Sequence, residues 1–93
     1  MNIFKKDILK RFSVVKIEYL HKKDFENKWC FKADMVKFYL FENNCVVVEI
    51  NKKKLGLNGR SVDLMKIKSF IDSKYFVGGD IGHFINYGLN MKK

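Results

Sequence analysis

Apolar residues recur along this chain with two different periods, and the switches between them divide it into elements. Phe4, Ile8 and Phe12 stand four apart, the stripe of an amphipathic helix that Asn2 can cap. A first helix is therefore expected over residues 2–12, with Lys5, Lys6, Lys10 and Arg11 on its remaining surface. From Val15 the period falls to two. Val15, Ile17 and Tyr19 alternate with Lys16 and Glu18, which predicts a half-buried strand. The polar stretch 21–28 then reads as a hairpin loop.

From Trp29 to Phe41 every odd position except Lys37 is apolar, as in one long strand with a continuously buried side. Asn43-Asn44 suits a two-residue turn, because asparagine tolerates the positive φ that such hairpins require. That register sets Phe41 against Val46, Tyr39 against Val48 and Lys37 against Ile50. The opposite side would then carry Val36, Phe38, Leu40 and Val47 among Lys32, Asp34, Glu42 and Glu49. A sheet with one solvated side would not be apolar on both. A second layer must cover Val36, Phe38, Leu40 and Val47: a helix of this chain, a protein partner, or a second copy forming a homodimer.

Residues 52–60 form a basic stretch with two glycines. Ser61 can cap a helix to about Lys74, with Leu64, Ile67, Phe70 and Ile71 inward. Residues 75–77 read as a short extended piece broken by Gly78-Gly79. Asp80 can cap a last helix with Ile81, Phe84 and Ile85 inward, and Gly88 stands where a helix-terminating glycine belongs. The pattern thus predicts one α+β domain over residues 1–93: an N-terminal helix, a three-stranded antiparallel meander, and two C-terminal helices packed on the sheet.

Charge narrows the function. Nineteen basic residues stand against ten acidic, a net +9, and only Arg11 and Arg60 of the basic set are arginine. Such a surface attracts polyanions. Lysine is a hydrated point charge suited to phosphate, whereas arginine carries the fork that reads base edges, so the balance favours sequence-tolerant contact. An AT-rich coding sequence would also raise lysine over arginine. The opening residues lack the apolar run of an export signal, and no apolar stretch is long enough to cross a bilayer. A cytoplasmic protein with reduced thiols and no membrane partner is expected.

The strongest local candidate is Lys52, Lys53, Lys54, Gly59, Arg60 and Ser61. A glycine-containing loop entering a helix presents free amides and the positive end of the helix dipole to a phosphate. Lys5, Lys6, Arg11, Lys22 and Lys23 are secondary candidates. The stretch from Leu55 to Val62 is similar to the GXXG segment of KH domains, which implies a clamp on single-stranded nucleic acid. In that family the loop joins two helices, whereas β-branched residues 45–48 precede it here. The helix, three strands, helix order with His21 after the first strand also resembles double-stranded-RNA-binding domains. This chain lacks their lysine-rich second-helix start and their loop proline. Aromatics Trp29, Phe31, Tyr39 and Phe41, interleaved with lysines, suit either a core or a base-stacking face.

Cys30, Cys45, His21 and His83 match no zinc spacing, and no acid–base pair or nucleophile with a nearby base stands out. Neither metal, cofactor nor catalysis is expected. Two functions remain. The first is a small non-enzymatic domain binding DNA or RNA, alone or within a protein–nucleic-acid complex, mainly through phosphates. The second is a phage or mobile-element inhibitor of a host nucleic-acid machine, of anti-CRISPR or anti-restriction type, that docks through Val36, Phe38, Leu40 and Val47.

Overall fold

A computed structural model describes residues 12–92, so the expected helix over residues 2–12 lies outside the described residues except for Phe12. The described chain is α+β. Four strands, β1 (Val14–His21), β2 (Met35–Phe41), β3 (Val46–Ile50) and β4 (Lys53–Gly56), form one antiparallel sheet in sequential order. Two helices accompany it, α1 (Gly59–Met65) and α2 (Ile81–Leu89), together with single 3-10 turns at Lys22–Asp24, Glu26–Lys28 and Phe70–Asp72.

The fourth strand corrects the expected three. Residues 53–56 pair with β3 because Asn51 (φ 52°) and Lys52 (φ 67°) both take positive φ, as a tight two-residue hairpin demands. The β2–β3 turn is one residue longer than expected. Phe41 N–H donates to Cys45 C=O at 3.0 Å, and Asn44 closes a three-residue loop with φ 64°. The register therefore shifts by one, setting Tyr39 against Val47, Leu40 against Val46 and Lys37 against Glu49. A one-residue shift exchanges the facing side chains, and here it places Glu49 instead of Ile50 beside Lys37.

The long strand also breaks. Residues 32–34 form a bend, so Trp29 and Phe31 reach the side carrying Val36, Phe38 and Leu40, while Tyr39 and Phe41 take the other. Phe31 instead bridges Phe76, Lys32 N–H donates to Tyr75 C=O at 2.8 Å, and Val77 N–H donates to Cys30 C=O at 3.0 Å. The bend thus seats residues 30–32 against the chain before α2.

Two apolar clusters sandwich the sheet. On one side Leu20, Val36, Phe38, Leu40, Val46, Val48 and Leu55 pack with Trp29, Phe31, Phe70 and the α2 residue Phe84. Val36, Phe38 and Leu40 are buried there by this chain's own second layer. On the other side Tyr39, Phe41, Cys45 and Val47 pack with Met65 of α1, Ile67 and Phe12. Val47 therefore does not share a side with the other three.

The strand β1 reverses its expected polarity. Leu20 is the buried residue, and Ile17 and Tyr19 are exposed at 42% and 55%. At the sheet's edge the side of β1 carrying Ile17 and Tyr19 is uncovered, whereas Glu18 on the other side is held by the Tyr87 hydroxyl of α2, which donates to Oε1 at 2.7 Å.

Helix limits differ from the pattern as well. Helix α1 stops at Met65, where Lys66 adopts left-handed φ 58°, so the expected run to Lys74 becomes an irregular stretch over 66–68, a bridge at Ser69 and the 3-10 turn. Gly88 lies inside α2, not after it, and Asn90 is the C-cap. Its role is proximity. A Cβ at Gly88 would sit 2.5 Å from Val46 Cγ1.

Substitution at Gly88 tests that contact. Gly88→Ala should gain up to about 1 kcal/mol in helix propensity yet lose about 1–3 kcal/mol to overpacking against β3. Denaturant unfolding should show a net loss. Gly59→Ala, where nothing lies within 4 Å of the added carbon, should be neutral or stabilising. A more stable Gly88→Ala variant would mean that α2 is not seated on Val46.

Candidate nucleic-acid interface

The predicted basic loop is divided by β4. Lys52 lies in the β3–β4 turn and Lys53 opens β4, whereas Gly59, Arg60 and Ser61 begin α1 beyond the far end of the strand. Four residues at strand rise separate the two sets by about 13 Å. The structure does not bring them together as one cradle, and it does not form the helix–loop–helix that a GXXG clamp requires.

The α1 start is largely satisfied internally. Asn58, not Ser61, is the N-cap: its Oδ1 accepts from Ser61 N–H at 3.1 Å and from Val46 N–H at 3.1 Å. Its Nδ2 donates to Asn44 C=O at 2.9 Å. One side chain thereby ties the β2–β3 turn, the start of β3 and the start of α1. Ser61 is fully buried, and its hydroxyl donates to Asn58 C=O at 2.7 Å. Gly56 N–H donates to Lys68 C=O and Leu57 N–H to Val46 C=O. Gly56 is required sterically, since a Cβ there would meet Ser61 Oγ at 2.6 Å. Gly59 and Arg60 remain the exposed residues of the turn. Arg60 borders an open cleft of about 520 Å³ with Asn44, Asn58, Leu89, Asn90 and Lys92.

The other basic set gathers at one end of the sheet. In an antiparallel meander the end of β1, the start of β2, the end of β3 and the start of β4 share that end. It therefore carries Lys22, Lys23, Lys52 and Lys53, and the Lys32–Tyr75 backbone bond brings Lys32 and Lys74 there too. Asn51 Nδ2 lies 3.5 Å from the Tyr75 hydroxyl, and Lys74 Nζ sits 5.5 Å from that ring's centroid. The Tyr75 hydroxyl is pulled below its ordinary pKa, first by the Asn51 hydrogen bond; burial opposes this, and the Lys74 and Lys53 charges add to the lowering. Lys22 and Lys23 have acidic company, lining a cleft with His21, Glu26 and Asp34. Lys5, Lys6 and Arg11 lie outside the described residues.

Lys54 is different again. It points to the side of Tyr39 and pairs with Glu49 at 3.4 Å, the one salt bridge among the described residues. The Tyr39 hydroxyl donates to the same carboxylate, and Lys37 and Lys54 lie 5.0 and 5.8 Å from the Tyr39 ring centroid. Burial pushes the Glu49 carboxyl up, but Tyr39, Lys54 and Lys37 together hold it below its ordinary value. The Tyr39 hydroxyl is raised, by burial first and then by Glu49, and the Lys37 ammonium is raised chiefly by Tyr39.

The aromatic stacking candidates are closed. Trp29, Phe31, Tyr39 and Phe41 are all buried, the first with its indole N–H donated to Ala33 C=O at 2.7 Å. The exposed aromatic on that sheet side is Tyr19, 5.7 Å from Lys37 Nζ. Alternation marked Tyr19, but gave it the buried side.

Cys30 and Cys45 occupy opposite apolar clusters, and neither forms a disulfide. Burial pushes the Cys30 thiol up to about 11 and raises Cys45 as well, leaving both as thiols at neutral pH. Among the described residues no three His, Cys, Asp or Glu side chains converge, and no helix is long and apolar enough to cross a membrane. No family model, curated protein or solved structure matches the chain.

Glu49 has a lowered folded pKa, so its contribution is fully present above the unfolded value near about 4.3 and is lost as pH falls through the folded one. Glu49→Gln should therefore flatten the acid limb of the stability–pH curve, and an unchanged limb would mean that the carboxylate is not stabilised here. Asn58→Ala removes a cap and strands Val46 N–H, and should cost about 2–3 kcal/mol. A loss below about 0.5 kcal/mol would show that water replaces all three bonds.

Proposed function

We propose that this chain is a non-enzymatic, cytoplasmic nucleic-acid-binding domain that contacts phosphates without reading sequence. The observation carrying this reading is the set of lysines at one end of the sheet. Lys74 Nζ stands over the Tyr75 ring, the Lys53 charge reaches that hydroxyl, Lys52 follows Asn51 in the turn and Lys32 is joined to Tyr75 through the backbone, and none of the four forms a salt bridge among the described residues. A two-residue hairpin turn presents Lys52 at the tip, with Lys53 opening the paired strand behind it, which lowers the ordering cost of contact. Their ammonium groups attract the phosphate backbone at a distance, and the exposed Asn51 adds a neutral hydrogen-bonding group beside them.

Lys22 and Lys23 extend the same end, and Arg60 with Lys92 forms a separate, smaller positive site. The inhibitor reading loses the surface it rested on, because Val36, Phe38, Leu40 and Val47 are enclosed. Nucleic-acid binding is the reading we retain.

Fluorescence anisotropy with unrelated DNA and RNA oligonucleotides tests it. For about five phosphate contacts, the log–log dependence of affinity on salt should have a slope of roughly −3.5 to −4.5. Replacing Lys52, Lys53 and Lys74 together with alanine should make the slope shallower by roughly 2–3 while the far-UV circular dichroism stays unchanged. Gly59→Asp has room for its side chain and should weaken binding much less, since α1 lies at the other end of β4. Absence of binding at low salt, or a slope that ignores the lysine triple variant, would sink the reading.

A further inference from the structure

The two edges of the sheet are treated unequally. Along β4, Gly56 forms a parallel bridge with Ser69 and its N–H donates to Lys68 C=O, so residues 68–69 cover part of that edge. Along β1 no described segment does the same, and residues 14–17 and 19 are exposed. Natural edge strands are usually covered or blunted, because their free amides and carbonyls template further pairing.

The ladder shows which groups are free. Lys22 N–H donates to Asp34 C=O, in register with Leu20–Val36, Glu18–Phe38 and Lys16–Leu40. Hydrogen-bonded pairs alternate along an antiparallel ladder, so Ile17 and Tyr19 direct their backbone groups outward. Before the irregularity between Val14 and Lys16, Glu42 N–H donates to Ser13 C=O, so Val14 faces outward as well. Val14, Ile17 and Tyr19 pair with Phe41, Tyr39 and Lys37, which places all three side chains on one side of the sheet. They are 46%, 42% and 55% exposed, and Met35 beside them is 48% exposed.

We propose that β1 pairs antiparallel with β1 of a second copy of this chain, about a two-fold axis through Ile17, making one continuous sheet. Charge selects both the partner and the register. With the axis at Ile17, Lys16 of each copy opposes Glu18 of the other on the covered side. Ile17 meets its own counterpart, and the bulge lets Val14 oppose Tyr19 on the open side. Moving the axis to Glu18 or Lys16 opposes like charges directly, and moving it to Tyr19 sets Lys16 against Lys22. An isologous contact of this kind needs only a self-complementary strand, and this strand is one. The pairing is independent of nucleic-acid binding. It also works against the repulsion of two +9 chains, so it strengthens as salt screens their net charge.

Sedimentation velocity on the full chain, nuclease-treated and freed of nucleic acid, over a concentration series at physiological salt, reads this directly. A monomer–dimer equilibrium is expected. Lys16→Glu and Glu18→Lys should each weaken it by about tenfold or more, since each turns two attractive cross-strand pairs into repulsive ones. Mixing the two variants should restore association as a heterodimer, because each then supplies the charge the other lacks. Tyr87→Phe removes only the hydroxyl held by Glu18 and should leave the equilibrium alone. Ile17→Lys should abolish it. A monomer throughout, association only when nucleic acid is added, or a dimer that persists in the single variants with no gain on mixing would each overturn the proposal.

Discussion

Phe84 is where the layers of this fold meet, and most of the architecture depends on how its ring is surrounded. Its centroid lies 4.9 Å from Phe31, 5.2 Å from Phe25, 6.0 Å from Trp29 and 6.3 Å from Phe38. These rings come from α2, the bend before β2, the turn after β1 and the sheet itself. Edge-to-face and tilted aromatic contacts add direction to burial, so the cluster fixes orientation as well as proximity. Gly88, one turn further along α2, lets the helix axis come close enough for Phe84 to reach the sheet. The bend at residues 32–34 has its reason here. A continuous strand would carry Phe31 to the side away from Phe38, and the aromatic core could not close.

A core filled in this way leaves no interior for charge. Ser61 is the only fully buried polar residue among the described residues, and the lysines are left outside with little acid to pair them. The positive potential is therefore a consequence of composition, but its placement is a consequence of topology. Tight turns put Lys22, Lys23, Lys52 and Lys53 at the same end of the meander. The opposite end is organised by the Asn58 side chain, which uses its hydrogen-bonding capacity on the protein itself.

Several features were legible in the sequence because short-range chemistry decides them. Asp80 caps α2, its carboxylate accepting from His83 N–H at 3.2 Å, and the alternation over residues 35–41 marks a strand. Apolar character on both sides of that strand required a second layer, and the layers are there. The failures belong to choices that local pattern cannot make. Ser61 and Asn58 are both good caps, and the winner is the one whose side chain also reaches Val46 and Asn44. A two-residue and a three-residue turn fit Glu42-Asn43-Asn44 equally well, and packing of Val47 with Met65 selects the second. Lys52 at positive φ is unfavourable in isolation, and pairing of β3 with β4 compensates it. The basic site was legible as composition, but its division by β4 was not, because Lys53-Lys54-Leu55-Gly56 has weak strand propensity and is held by its neighbours.

The side of the sheet away from α2 shows how one surface can serve two ends. Around Phe41, Cys45 and Val47 it is sealed by Met65 and Ile67, and toward β1 it stays open. Tyr39, Glu49, Lys37 and Lys54 stand between the two regions. The tyrosine ring continues the apolar cluster, whereas its hydroxyl and the three charged groups form a polar boundary. Glu49 stays ionised at that boundary because it is hydrogen-bonded and flanked by two ammonium groups, so the boundary remains polar at neutral pH. An apolar surface that ran unbroken from Val47 to Ile17 would invite indiscriminate adhesion. Confined by the quartet, the exposed apolar side chains form a narrow strip along β1, where any occupant must also satisfy a row of backbone amides. That requirement is directional, and it turns a sticky surface into a selective one.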